Sequence, residues 1–185
     1  MRVITGLARG RRLETLPGEA TRPTSEKVKE SLFSAIQFDI EGRRVLDLFA
    51  GSGQLGIEAL SRGASGCVFV DKNTEAVKII RQNLQHTGLA ASAQVLGTDA
   101  LSYLTRPGDR FDLVFLDPPY AAELLLPALL KVAPLVNDGG IIICETEDGM
   151  ELPQRVDRFA VDRTYRFGRI CVWLYRYWDG EENGI

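Results

Sequence analysis

The sequence predicts a single α/β domain with a mostly parallel sheet, helices on both of its faces and a closing antiparallel hairpin. Three observations carry that expectation. Residues 45–146 alternate short apolar, β-branched runs with amphipathic stretches, the pattern of repeated βαβ units whose strands are buried on both faces. Beyond residue 150 the helical stretches cease, and two long runs, 156–165 and 170–177, flank a short connection that holds Gly168, as in a β-hairpin. The 185 residues are 45% hydrophobic and 25% charged, ordinary for one globular domain with a core and a cleft.

Taken in order, the strands fall at 45–49, 67–71, 93–97, 111–117 and 140–146, and the helices between them at 53–61, 73–87, 99–105 and 123–132. Asn73 and Asp99 are placed as N-caps, while Gly63, Gly88 and the pair Gly139-Gly140 fall where helices should stop. Ahead of the sheet, residues 24–37 carry Val28, Leu32, Phe33 and Ile36 at helical spacing, preceded by a Gly- and Arg-rich segment suited to a small hairpin. Residues 179–185 are polar and read as a frayed tail.

Composition excludes several classes. The longest apolar stretch, around Leu124 to Leu130, is broken by Pro127 and falls far short of the roughly 20 residues of a membrane span. Residues 1–6 lack a signal-peptide core, which points to a soluble cytoplasmic protein. Cys67, Cys144 and Cys171 each sit inside an apolar run, so buried free thiols are expected, with no metal. Neither a heptad nor a repeated patch argues for an oligomer, and a monomer is expected. Charge is uneven: residues 1–29 carry +4 within a chain of net charge −3. A basic head on an acidic body suits a polyanion met at one end of the molecule, although a solvated charged surface would read the same way.

The segment Asp47-Leu48-Phe49-Ala50-Gly51-Ser52-Gly53-Gln54-Leu55-Gly56 places Gly-x-Gly-x-x-Gly after a strand and at the mouth of a helix. Spacing alone fits a dinucleotide fingerprint, with Asp71 twenty residues after Gly51 placed for ribose hydroxyls. Asp47 separates the readings. A carboxylate at the end of the first strand repels a pyrophosphate, but it favours S-adenosylmethionine, whose sulfonium and ammonium are both cationic. Asp99, in Gly97-Thr98-Asp99-Ala100 after the third strand, is placed for the adenine amino group. Cofactor contacts are therefore expected from Asp47, the turn Ala50-Gly51-Ser52-Gly53, Asp71 with Lys72 beside it, and Asp99 with Ala100.

The fourth strand ends in Asp117-Pro118-Pro119-Tyr120. Two consecutive prolines fix the backbone and remove two amide donors, leaving a rigid set of acceptors. The lone pair of an exocyclic amino group on a base is delocalised into the ring, which makes it a poor nucleophile. The Asp117 carboxylate and the Pro118 carbonyl, each accepting one N–H, would orient that nitrogen and favour its pyramidal form, while Tyr120 supplies a face on which a splayed base stacks. The lone histidine, His86, has no part in this scheme and reads as a surface residue.

These residues carry a family resemblance. Arg9-Gly10-Arg11, Thr21-Arg22-Pro23-Thr24, Lys27-Val28-Lys29-Glu30-Ser31-Leu32-Phe33, the glycine turn, Glu58-Ala59-Leu60-Ser61-Arg62-Gly63-Ala64 and the proline turn with its strand together resemble the bacterial 16S ribosomal RNA guanine-N2 methyltransferases that act on guanine 966. The resemblance implies a Rossmann-like class I S-adenosylmethionine-dependent methyltransferase fold with a seven-stranded sheet and S-adenosylhomocysteine as product. It also implies 16S ribosomal RNA or the assembling small subunit as partner. Residues 1–40 then form a basic, RNA-binding arm and helix, and 41–178 the methyltransferase domain. Arg9, Arg11, Arg12, Arg22, Thr24 and Lys27 are the expected RNA contacts, with Arg166 and Arg169 from the hairpin; Arg22-Pro23-Thr24 also reads as a helix start capped by Thr24. Two positions depart from the family pattern: Asp71 stands where Glu is commoner, and Phe167-Gly168 where Tyr-Gly is.

The proline turn alone does not name the base, since adenine-N6 of nucleic acid and protein glutamine present the same planar amino group. A nicotinamide-dependent reductase would share the glycine turn but leave Asp47 and the proline turn unexplained. A non-catalytic RNA-binding factor would explain the arm but not an intact pocket.

Overall fold

The computed structural model describes residues 1–17, 25–106, 108–119 and 121–180. In chain order these form α1 (Ser25–Ala35), β1 (Arg44–Leu48), α2 (Gln54–Ser61), β2 (Gly66–Asp71), α3 (Thr74–Thr87), β3 (Ala93–Gly97), α4 (Ala100–Tyr103), β4 (Phe111–Leu116), α5 (Ala121–Val132), β5 (Val136–Glu147), β6 (Arg155–Val156), β7 (Phe159–Phe167) and β8 (Ile170–Tyr177). One sheet holds all strands in the order β3-β2-β1-β4-β5-β8-β7-β6. Strands β1 to β5 pair in parallel, and β8 runs antiparallel between β5 and β7. The seven expected strands are present, and two-residue β6 adds an eighth at the edge.

Each face of the sheet has its own core. Apolar residues of α1, α2 and α3, such as Phe33, Ile57 and Ile80, pack with Phe69 and Phe115 on one side. Leu125 and Leu129 of α5 and Tyr103 of α4 pack with Leu48, Val114 and Ile142 on the other. The strand order reverses between β1 and β4, and a crevice opens there beyond the carboxyl ends of the strands. Gly56 permits α2 to lie close over β2: a Cβ there would sit 2.3 Å from a Phe69 ring carbon.

The structure corrects three expectations. Gly139-Gly140 does not end a helix; α5 gives way to a 3-10 turn at Ala133–Leu135, and both glycines lie in β5. Pairing there slips from Phe111↔Val136 to Leu113↔Ile141, a bulge that Gly139, at φ 75°, accommodates. The run 156–165 is not one strand, because Asp157 turns the chain at φ 50° and folds β6 back onto the start of β7. The predicted helix 99–105 reduces to one short turn, α4.

Residues 1–13 form the expected small hairpin, with a bridge between Arg2 and Arg12. The hairpin is not a loose appendage, since Val3, Ala8 and Leu13 are buried in the same core as α1 and α2. Its attachment is polar as well. Glu58 of α2, fully buried, accepts hydrogen bonds from the amides of Ile4 (2.8 Å) and Thr5 (3.0 Å) and from Arg62 Nε (2.8 Å). Lys29, counted above in the basic head, is instead buried. Its ammonium donates to the Arg2 carbonyl at 2.6 Å and lies 3.6 Å from Glu58. Burial lowers the Lys29 pKa even against the attraction of Glu58.

All three cysteines are buried free thiols, each with its pKa raised by burial. Among the described residues no helix is long and apolar enough to cross a membrane.

Candidate cofactor and substrate cleft

The cleft at the sheet's switch point has a volume of about 510 Å³. Three of its walls come from strand ends: Asp47 from β1, Asp71 from β2 with Lys72 beside it, and Asp117, Pro118 and Pro119 following β4. The glycine turn contributes Ala50, Gly51 and Ser52. Leu16 and Pro17 of the N-terminal segment form a further wall.

The turn is held tightly. Phe49, the residue after β1, takes φ 72°, a left-handed conformation rare for a bulky side chain and a local store of strain at the cleft. The amides of Phe49 and Ala50 both donate to the Val70 carbonyl at 3.0 Å, and the Gly53 amide donates to the Ala50 carbonyl at 2.7 Å. Gly53, at φ 78°, then caps α2; a Cβ there would lie 3.2 Å from Ile80 and would be strained besides.

The carboxylates have defined partners. Asp47 Oδ2 accepts the Gly56 amide at 2.9 Å, so an acid of the chain itself occupies the donors of the α2 N-terminus where a pyrophosphate would bind. Asp71 accepts the Gly51 amide through Oδ2 (2.9 Å) and the Asn73 amide through Oδ1 (2.8 Å), tying the glycine turn to the end of β2. Each of its oxygens retains a second lone pair for a hydroxyl donor. Gln54, which sequence reasoning passed over, also lines the cleft and holds a buried Oε1 with no hydrogen-bond partner among the described residues. An orphaned acceptor among three carboxylates and one lysine suits a ligand rich in donors and positive charge. Such a donor set fits S-adenosylmethionine and opposes a dinucleotide.

Asp99 and Ala100 lie outside this lining. Asp99 caps α4, accepting the Ser102 amide at 2.9 Å and the Ser102 hydroxyl at 3.0 Å, and these hydrogen bonds, the backbone one foremost, lower its pKa. Arg22, Thr24 and Tyr120 fall outside the described residues. Of the basic candidates, Arg9, Arg11, Arg12 and Lys27 are exposed; Arg11 donates to the His86 carbonyl at 2.8 Å, which holds the hairpin against the end of α3. Arg166 and Arg169 flank the β7–β8 turn, with Arg166 3.7 Å from Asp148.

A Rossmann-like parallel sheet with this acid-lined glycine turn and the Asp-Pro-Pro turn defines a class I S-adenosylmethionine-dependent methyltransferase. The sequence model of a family described as Conserved hypothetical protein 95 matches residues 1–176. Similar proteins include YlbH of Bacillus subtilis, 41% identical over 95% of this chain and 98% of that protein. Ribosomal RNA small subunit methyltransferase D of Escherichia coli is 34% identical over 95% of this chain and 89% of its own. The solved structure of Escherichia coli yhhF superposes with a TM-score of 0.85 at 33% identity, covering 96% of this chain and 98% of that one. The chain belongs to this family, the one that holds the bacterial small-subunit ribosomal RNA methyltransferases.

Proposed function

We propose that the protein transfers a methyl group from S-adenosylmethionine to the exocyclic N2 of a guanine in 16S ribosomal RNA, free or in the assembling small subunit. The observation that carries the reading is that Asp117 and Pro118 open into the same cleft as Asp47, Asp71 and the glycine turn. Small-subunit ribosomal RNA as substrate is supported by the relatives' names, and guanine-N2 by the sequence resemblance. The enzyme works as a monomer in the cytoplasm, where its RNA is made.

In this reading Asp47 and the glycine turn hold the cationic donor, Asp71 takes its ribose hydroxyls with Lys72 beside it, and Asp99 with Ala100 borders the adenine. When bound, S-adenosylmethionine supplies an electrophilic methyl on a sulfonium. Asp117 and the Pro118 carbonyl accept the two N–H bonds of the guanine amino group and aim its lone pair, and Tyr120 stacks the base. Once methylated, the nitrogen is strongly acidic, and its surplus proton passes to the Asp117 carboxylate that already accepts it.

The test is transfer of labelled methyl from S-adenosylmethionine to undermethylated small subunits and to bare 16S RNA, with nucleoside analysis of the product. Label in N2-methylguanosine is expected. Label in N6-methyladenosine or in protein would keep the turn's chemistry and overturn the substrate.

In this reading Arg9, Arg11, Arg12, Arg22, Thr24 and Lys27 hold RNA phosphates, with Arg166 and Arg169 as weaker contacts. Arg11→Ala with Arg12→Ala therefore weakens RNA binding and reduces the slope of log affinity against log salt by about 1.4, or ~0.7 per phosphate contact on a single strand. S-adenosylhomocysteine affinity should stay unchanged. Equal loss of both affinities would make the hairpin purely structural.

A further inference from the structure

Asn83 on α3 is 1% exposed, and none of the chemistry above uses it. Its Oδ1 accepts the Glu14 amide at 2.8 Å, while Nδ2 donates to the Glu14 carbonyl at 2.9 Å and to the Ser52 carbonyl at 2.9 Å. One side-chain amide thereby joins two backbone segments that lie 69 and 31 residues away in sequence. Those partners fix its orientation, since the flipped amide would set a donor against a donor and an acceptor against two acceptors.

Both segments border the cleft. Ser52 belongs to the glycine turn, and the chain leaving Glu14 runs into Leu16 and Pro17, which form the facing wall. A small polar residue in the core thus links the segment that leads into the N-terminal wall with the glycine turn. An apolar residue of similar size would fill the core equally well but would leave the Glu14 amide and two carbonyls without partners. That specific pairing marks a role beyond packing.

We infer that Asn83 is a positioning residue for the cofactor: it sets the span between the Leu16-Pro17 wall and the glycine turn, without touching cofactor or RNA. The inference rests on the cofactor part of the proposed function and not on the identity of the RNA. Asn83→Asp keeps the acceptor and removes both donors, setting a carboxylate against two carbonyls.

Calorimetry with S-adenosylhomocysteine and the full-length chain is the test, with amide hydrogen exchange alongside. Asn83→Asp should weaken binding at least about tenfold, the scale of one buried hydrogen-bond mismatch, and speed exchange at the Glu14 amide. With saturating cofactor, kcat should remain near that of the unaltered protein, so that the defect lies in KM. A lower Tm with affinity and KM unchanged would overturn the inference and leave Asn83 a core amide. Should Asn83→Asp fail to fold, the double change Leu16→Gly and Pro17→Gly keeps every Asn83 partner and removes the wall. Weaker binding is again expected, and unchanged binding overturns the inference. If the unaltered chain binds no S-adenosylhomocysteine, the cofactor reading fails together with it, whereas binding that is equal in all forms sinks the inference alone.

Discussion

Asp117→Ala lowers single-turnover methyl transfer by at least about 10²–10³-fold, the usual cost of removing one preorganised electrostatic group, and leaves S-adenosylhomocysteine affinity within a small factor. Asp117 follows directly on β4, whose last pairs, Phe115↔Ile143 and Leu116↔Cys144, lie in the middle of the sheet. The carboxylate thus stands on a buried, paired strand and is followed by two residues with restricted φ. Little reorganisation is left to the moment of reaction, which is why the effect should fall on the chemical step and spare cofactor binding. Asp117→Asn keeps one acceptor oxygen and should retain more activity than the alanine variant. Full activity in Asp117→Ala would remove the turn from the mechanism.

The cleft's electrostatics agree with that division of labour. Asp47 and Asp71 each spend one lone pair or more on backbone amides of the turn, so they shape the site before any ligand arrives. Asp71, one methylene shorter than glutamate, accepts the Gly51 amide at 2.9 Å and so ties the glycine turn to the end of β2.

Sequence periodicity located the strands and the cleft-lining residues at the ends of β1, β2 and β4, because buried parallel strands and tight glycine turns impose local patterns. Asp47 and Asp117 were legible for the same reason, each lying at the end of an apolar run. Gly139-Gly140 misled because a glycine pair ends a helix and bulges a strand with equal ease, and only the pairing partner, Leu113↔Ile141, decides between them. Asp99 caps α4 and lies outside the lining of the cleft; an acid after a strand reads equally as a helix cap and as a cofactor contact, and sequence does not tell how far its carboxylate lies from the cleft. Lys29 and Asn83 were opaque for a different reason. Their partners, Arg2 with Glu58 and Glu14 with Ser52, are tertiary neighbours that no spacing announces.

Glu58→Ala destabilises the fold by about 3–5 kcal/mol, the scale for breaking a buried ion pair from one side. For a chain of this size that is a fall in Tm on the order of 10 °C. The carboxylate serves four groups at once: the Ile4 and Thr5 amides, Arg62 Nε and the Lys29 ammonium. Removing it takes the shared acceptor from two part-buried backbone amides and from Arg62, and leaves the buried Lys29 without its counter-charge. Lys29→Met should cost far less, on the order of 1 kcal/mol, because an unbranched apolar chain replaces a cation whose pKa burial already lowers. Glu58 keeps Arg62 and both amides in that variant, and the Arg2 carbonyl loses one donor. Urea titration and limited proteolysis of the two variants separate the cases: early cleavage within residues 1–13 is expected for Glu58→Ala and not for Lys29→Met. Equal losses in both would show that the ion pair itself, and not the carboxylate's grip on the hairpin backbone, anchors the N-terminal segment to α2.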